Sequence, residues 1–219
     1  MASCSVVDGV RRASGAEPRI VLDWDGTVTE RDTLDLVLEE FGDPEIYARV
    51  EAELGRTFTL DEVIAREFAT VTAPLGEVAA WLLERARIRP GFAELARRHR
   101  PLVVSSGFHE LIEPVLEREG LRAEVELRAN RVDPRPDGWR VRFRVTDPCP
   151  ACGEPCKRAD LPEGPVVYAG DGYSDRCAAL AADRVYATGS LARWLAERGA
   201  PFRTLTTFID VAAELATPA

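Results

Sequence analysis

No stretch of this chain is apolar for long enough to cross a bilayer, which argues against a membrane-embedded protein. Residues 1–18 are small and polar, with Arg11 and Arg12 and no apolar centre, so they read as a flexible tail rather than an export signal. Disulfide frameworks need paired cysteines. The five here, Cys4, Cys149, Cys152, Cys156 and Cys177, are odd in number and point to a reducing cytoplasm. Histidine is scarce: His99 and His109 are the only two, and His109 reads as a surface or supporting residue rather than a catalyst. A basic stripe with interleaved aromatics is also missing, and at a net charge of −9 a phosphate-rich polymer would be repelled. Arg97-Arg98-His99-Arg100 suits the solvated end of a helix, so no nucleic-acid partner is expected. Internal repeats and low-complexity segments are absent too.

What remains is a globular composition. With 219 residues, 46 % of them hydrophobic, the chain can build one full domain and a smaller one. Ile20-Val21-Leu22 reads as a buried strand. Four helical stripes follow. Leu34, Val37, Leu38 and Phe41 stop at Gly42; Asp43-Pro44 opens a second helix; Thr59-Leu60-Asp61-Glu62 is a capping box for a third; Val78, Trp81 and Leu82 mark a fourth. From Pro90 the pattern alternates. Strands are predicted at 102–104, 165–169, 184–187 and 202–205, with helices between them and a hairpin over 124–145 that turns at 134–138. Short apolar strands alternating with helices predict an α/β fold, a Rossmann-like parallel sheet covered by helices on both faces. The four-helix block interrupts the alternation and reads as an inserted cap. The expected division is a tail at 1–18, a core at 19–28 and 90–219, and a helical cap at 29–89.

In an open parallel sheet, ligands bind beyond the carboxyl ends of the strands. Three strands here end in unusual polar residues: Asp23-Trp24-Asp25-Gly26-Thr27-Val28-Thr29, Ser105-Ser106-Gly107, and Gly170-Asp171-Gly172-Tyr173-Ser174-Asp175. Asp23 and Asp25 stand at i and i+2, so on extended chain they point the same way with Cα atoms about 6–7 Å apart. That suits a nucleophilic carboxylate with a proton-donating carboxylic acid beside it. Alone, Asp23-Trp24-Asp25-Gly26 also fits a strand end with a solvated turn. Ser105 is expected to open a helix N-terminus, a favourable place for phosphate. Converging carboxylates raise each other's pKa and repel a phosphate dianion. Mg2+ answers both problems, and Lys157, alone in a loop before the third of these strands, adds a compact positive charge.

In this order and spacing the motifs resemble those of the haloacid dehalogenase superfamily, in its phosphoserine-phosphatase-like (HAD-IB) branch with a helical cap. The resemblance covers nearly everything after Pro18, although Ser106-Gly107 stands where the branch usually has two glycines. It implies a phosphatase of a small phosphorylated metabolite, working as monomer or homodimer. Asp23 resembles the nucleophile that forms an aspartyl-phosphate, and Asp25 the general acid and base. Ser105 resembles the phosphate-binding hydroxyl, with adjacent Ser106 as the alternative and Gly107 beside them. Lys157 resembles the lysine bridging nucleophile and phosphoryl group. Asp171 resembles a Mg2+ ligand together with Asp23 and the Asp25 carbonyl, and Asp175 the support for that site. Alternatives within the superfamily are a phosphoserine phosphatase proper or a phosphoryl-transferring mutase; outside it stands a non-catalytic metal-binding scaffold.

Two features bear on specificity. Asp32, entering the cap, lies where the branch often faces an acid to the substrate; it also fits a plain helix cap. Phosphoserine phosphatases hold the substrate carboxylate with an arginine in the third cap helix. Here Ala65 takes that register and Arg66 is turned away by about 100°, which weakens the phosphoserine reading. Cys149, Cys152 and Cys156 have C-x2-C-x3-C spacing before Lys157. A structural Zn2+ would need a fourth ligand from Cys177, Cys4 or a histidine. The plainer reading is a Pro/Gly knuckle of reduced thiols that positions Lys157. Cysteines before this lysine also resemble the methylthio-sugar-phosphate and phosphocholine phosphatase relatives.

Overall fold

The computed structural model describes residues 17–216; Cys4 and most of the expected tail lie outside the described residues. The apolar β-branched runs form one sheet. In chain order its strands are β1 (Arg19–Leu22), β2 (Leu102–Phe108), β3 (Glu126–Asp133), β4 (Arg140–Arg142), β5 (Val166–Gly170), β6 (Arg184–Ala187) and β7 (Arg203–Thr204). They lie side by side as β4-β3-β2-β1-β5-β6-β7. Neighbours run parallel except β3 and β4, which form the expected antiparallel hairpin. The chain leaves β1 for one side of the sheet and later returns to its other side at β5, which makes the β1 end a topological switch point.

Alternation along each strand divides the core. Ile20 and Leu22 join an apolar cluster with Phe92, Phe108 and Phe208, while Val21 joins a second with Leu102, Val104, Tyr168 and Leu191. The helices are α1 (Thr33–Phe41), α2 (Pro44–Glu51), α3 (Leu60–Phe68), α4 (Leu75–Arg85), α5 (Phe92–His99), α6 (His109–Arg118), α7 (Arg176–Ala179), α8 (Gly189–Glu197) and α9 (Phe208–Leu215).

Helices α1 to α4 leave the sheet and return to it side by side, joined by an antiparallel bridge between Thr29 and Ile88. Their starts are fixed by local chemistry. Asp32 caps α1, Asp43 caps α2 ahead of Pro44, and Thr59 and Glu62 form a reciprocal capping box on α3. Val37, Ile64, Phe68 and Val71 are buried in the larger core cluster. The β3–β4 hairpin clasps this block. Trp139 is fully buried and stacks on Phe68; its backbone N–H donates to the carbonyls of Phe68 and Val71, and its indole N–H to Ala73. Gly138 makes the approach possible: at φ +111°, a Cβ there would lie 2.0 Å from the Ala69 carbonyl oxygen.

One expected boundary is corrected. β2 runs on to Phe108 and α6 starts only at His109, so Ser105 sits in extended chain and does not open a helix. Pairing of Phe108 with Asn130, after a register shift, keeps the segment extended. The helix between β5 and β6 is short: a 3-10 turn (Tyr173–Asp175) precedes the four-residue α7.

Candidate active site

β1 delivers Asp23 with extended backbone, and residues 24–28 then make one wide turn closed by Thr29 N–H to the Trp24 carbonyl at 3.0 Å. Gly26 sits in it at φ +65°, where a Cβ would lie 2.4 Å from Asp171 Oδ2. Glycine therefore lets the β1 turn touch the end of β5. Arg89, on the chain returning from the helices, holds the turn by donating to the carbonyls of Gly26 and Thr27, each at 2.7 Å.

Asp23 is buried, and Lys157 Nζ donates to its Oδ1 at 2.5 Å. The same ammonium donates to Asp175 Oδ1 at 2.8 Å. Asp175 has no exposed surface and uses both oxygens: Oδ1 also accepts from Tyr168, and Oδ2 accepts the N–H groups of Asp171 and Gly172. It orients the lysine and the Asp171 backbone together. Oxygens of Asp23, Asp171 and Asp175 all lie within 4.8 Å of one another. Asp25 is held from two sides. Its Oδ1 accepts the Thr33 backbone N–H and hydroxyl, and its Oδ2 accepts Ser105 Oγ–H at 3.2 Å. Ser105 Oγ in turn accepts from Gly107 N–H at 2.8 Å. A Cβ on Gly107 would sit 2.9 Å from Asp25 Oδ2.

The charge balance of this pocket is uneven. Burial pushes the Asp23 carboxyl well above the usual range, with Asp175 adding to the rise and Lys157 opposing it. Burial also raises Asp25, against the Thr33 hydrogen bonds. Burial and Asp175 lift Asp171 to about 7. For Lys157 burial works against the charge, yet Asp175 and Asp23 outweigh it and hold the ammonium protonated. Lys157 is the only lysine in the chain, and it faces several buried acids. With Asp175 saturated by its partners, Asp23 and Asp171 offer hard oxygen donors to a small divalent cation, and Mg2+ fits that donor set.

A model of the haloacid dehalogenase-like hydrolase family matches residues 20–180. This chain belongs to that family. Among curated proteins the hydrolase is 31 % identical over 204 residues to the 2-hydroxy-3-keto-5-methylthiopentenyl-1-phosphate phosphatase of Geobacillus kaustophilus (strain HTA426), covering 86 % of this chain and 91 % of that one. It is 30 % identical over 207 residues to the protein of the same name from Brevibacillus brevis, covering 86 % and 90 %. By these relationships it groups with the phosphoric monoester hydrolases. A solved phosphoserine phosphatase described as a phospho-aspartyl intermediate analogue matches with TM-score 0.65 at 17 % identity, covering 91 % of this chain and 99 % of that one. A substrate-bound phosphoserine phosphatase matches with TM-score 0.65 at 15 % identity and the same coverage. These likenesses show that the hydrolase has the fold of the phosphoserine-phosphatase-like branch.

Beside the acids the hydrolase carries a cavity of about 740 Å3. Leu54, Gly55, Arg56 and Leu60 line it from the helical block, and Tyr173, Arg176 and Trp194 from the sheet side. Ser105, Ser106 and Lys157 reach it; Asp32 and Gly107 do not. Asp32 Oδ1 is taken up by the Leu34 and Asp35 N–H groups at the start of α1, which is the helix-cap alternative. Arg66 also stays outside: its guanidinium lies 3.9 Å from the Phe58 ring centre and donates to the Glu62 carbonyl. His109 starts α6 and pairs with Glu113. Cys149, Cys152 and Cys156 gather with Cys177, all four Sγ atoms lying within 4.8 Å of one another.

Several working residues escaped the sequence reading. Thr33 is an ordinary residue at a helix start, and Tyr168 was legible only as part of an apolar strand. Asn130, whose side chain bridges the Ser106 carbonyl and the Arg144 N–H, was a polar interruption in β3 and the one available signal. Asp160, just after Lys157 and without a motif of its own, is buried and bound by both terminal nitrogens of Arg144 at 2.5 and 2.7 Å.

Proposed function

We propose that this hydrolase removes phosphate from a small phosphomonoester in two steps, with Mg2+ bound, through an aspartyl-phosphate on Asp23. The observation that carries the reading is the buried Lys157–Asp23 contact at 2.5 Å inside the Asp23, Asp171 and Asp175 cluster. In the first step an Asp23 oxygen attacks phosphorus in line with the leaving oxygen. The phosphorus–oxygen bond to the alcohol breaks, and Asp25, whose burial favours the protonated form, gives its proton to that oxygen. In the second step Asp25, now a carboxylate, takes a proton from water as the water oxygen attacks the same phosphorus. Phosphate leaves and the Asp23 carboxylate is restored. Lys157 balances charge on Asp23 and the phosphoryl oxygens, and Asp175 keeps it there. Mg2+, held by Asp23, Asp171 and the Asp25 carbonyl, would neutralise and orient the phosphoryl group. The helices over 29–89 act as the cap.

For the substrate we favour 2-hydroxy-3-keto-5-methylthiopentenyl-1-phosphate, the compound in the names of the curated relatives. Leu54, Leu60 and Trp194 supply apolar wall for a methylthio end, and the outward Arg66 gives a serine carboxylate no partner from α3. Steady-state assays with Mg2+ test this against phosphoserine. The expected kcat/KM is about tenfold or more higher for the methylthio compound, with turnover stopped by EDTA and 18O from labelled water appearing in the released phosphate. A preference for phosphoserine would overturn the substrate; phosphate without label would overturn the hydrolysis.

A further inference from the structure

A second cluster, of sulfurs rather than carboxylates, adjoins the phosphate-handling residues: Cys152, Cys156 and Cys177 line the same cavity as Ser105 and Lys157. Cys149, Cys152 and Cys156 come from the loop ahead of Lys157, and Cys177 comes from α7. We propose that these four side chains bind one Zn2+ as a closed structural site. Four sulfurs set tetrahedrally at the usual Zn–S distance of about 2.3 Å stand about 3.8 Å apart. Cys149 and Cys177 Sγ are 3.9 Å apart, and every pair in the cluster is within 4.8 Å. A disulfide would need about 2.05 Å.

The loop backbone is shaped for the same task. Ala151 N–H donates to Cys149 Sγ at 3.4 Å, an arrangement that favours the thiolate. Gly153, directly after the second cysteine and at φ +81°, donates to the Cys149 carbonyl at 2.8 Å. Cys149 N–H closes the turn on the Glu154 carbonyl at 2.9 Å. The C-x2-C-x3-C spacing thus supplies three ligands from one loop, and Cys177 arrives from another element as the fourth. Four sulfurs leave no position open for water, so the ion serves structure and not catalysis. A soft thiolate set here and a hard carboxylate set at Asp23 and Asp171 would sort two different cations within one molecule.

The site has a reason to exist. Residues 143–156 contain no helix or strand, and Cys149 is the only one of them that is buried. Apolar burial therefore does little to order the segment. Cys156 immediately precedes Lys157, and α7 immediately follows Asp175. An ion joining the four sulfurs would clamp together the two stretches of chain that bring Lys157 Nζ to 2.8 Å from Asp175.

Metal analysis of the full chain, purified under reducing conditions without added metal, tests the assignment. The expected content is about one zinc per chain, falling to near zero in the Cys149→Ser, Cys177→Ser double variant. Because that variant can fail to fold, the wild-type chain is also stripped with a thiol-competing chelator and titrated with Co2+. Thiolate-to-cobalt charge-transfer bands and the visible bands of a tetrahedral site should saturate at one equivalent and vanish on adding Zn2+. A wild-type chain showing neither zinc nor cobalt–thiolate bands would overturn the proposal. So would zinc content unmoved in a folded double variant, or a Cys149–Cys177 disulfide in the isolated protein. Neither measurement uses turnover, so this site and the phosphatase reading are tested separately.

Discussion

Asp23 and Asp175 share one ammonium, but their surroundings give them different work. Both oxygens of Asp175 are engaged by Lys157, Tyr168 and two backbone N–H groups, so it positions its neighbours. Asp23 meets Lys157 at the carboxyl end of β1, where a reacting group would sit. Asp23→Asn keeps the shape and removes the proposed nucleophile. Turnover should fall about a thousandfold or more while circular dichroism and the melting temperature hold; substantial activity in pure variant protein would contradict the role. The acids were legible because chemistry at strand ends leaves them out of pattern. Thr33 and Tyr168 were not, because a threonine at a helix start and a tyrosine in a strand are ordinary. Only the folded geometry aims their hydroxyls at Asp25 and Asp175.

Among the elements, α3 carries a cost. Glu67 is buried, and its Oε1 has no hydrogen-bond partner. Burial, then Glu51 and Asp35, lift its pKa to about 8. A raised folded value means the folded state binds more protons than the unfolded one from the ordinary glutamate range up to pH 8. Stability therefore declines across that window and stays low above it. Glu67→Gln should recover about 1–2 kcal/mol above pH 8 and much less at pH 5, read from melting curves at both pH values; an equal effect at both would contradict the assignment. The β3–β4 hairpin has the opposite role. Trp139→Ala removes the ring stacked on Phe68 and the indole N–H bond to the Ala73 carbonyl, and should cost about 3–5 kcal/mol in denaturant unfolding. Helix starts were readable from their caps, since the signal lies within four residues. The end of β2 was not: Ser105-Ser106-Gly107 looks like a helix entry, and only pairing with distant β3 keeps it extended.

Across the whole molecule, the alternation of strands and helices made the parallel sheet legible, and with it the gathering of three polar strand ends at the β1 switch point. The clasp of Trp139 on α3 was not legible, because it joins residues far apart in the chain. With Mg2+ at the proposed site, the pooled acids predict a metal-dependent pH response. Asp171, lifted to about 7, favours a protonated folded state from the ordinary aspartate range up to that value. Without cation, stability should fall as pH rises through the window. Mg2+ competes with those protons, so its rise in melting temperature should be larger at pH 8 than at pH 5. An equal rise would contradict binding at these carboxylates.

The central claim is a covalent phosphoryl group on Asp23, and acid quenching during turnover, followed by peptide mass spectrometry, tests it most directly. The account predicts a phosphorylated peptide with the modification at Asp23, lost in Asp23→Asn. A modification on another residue, or rapid turnover with no phosphorylated peptide at any quench time, would contradict it.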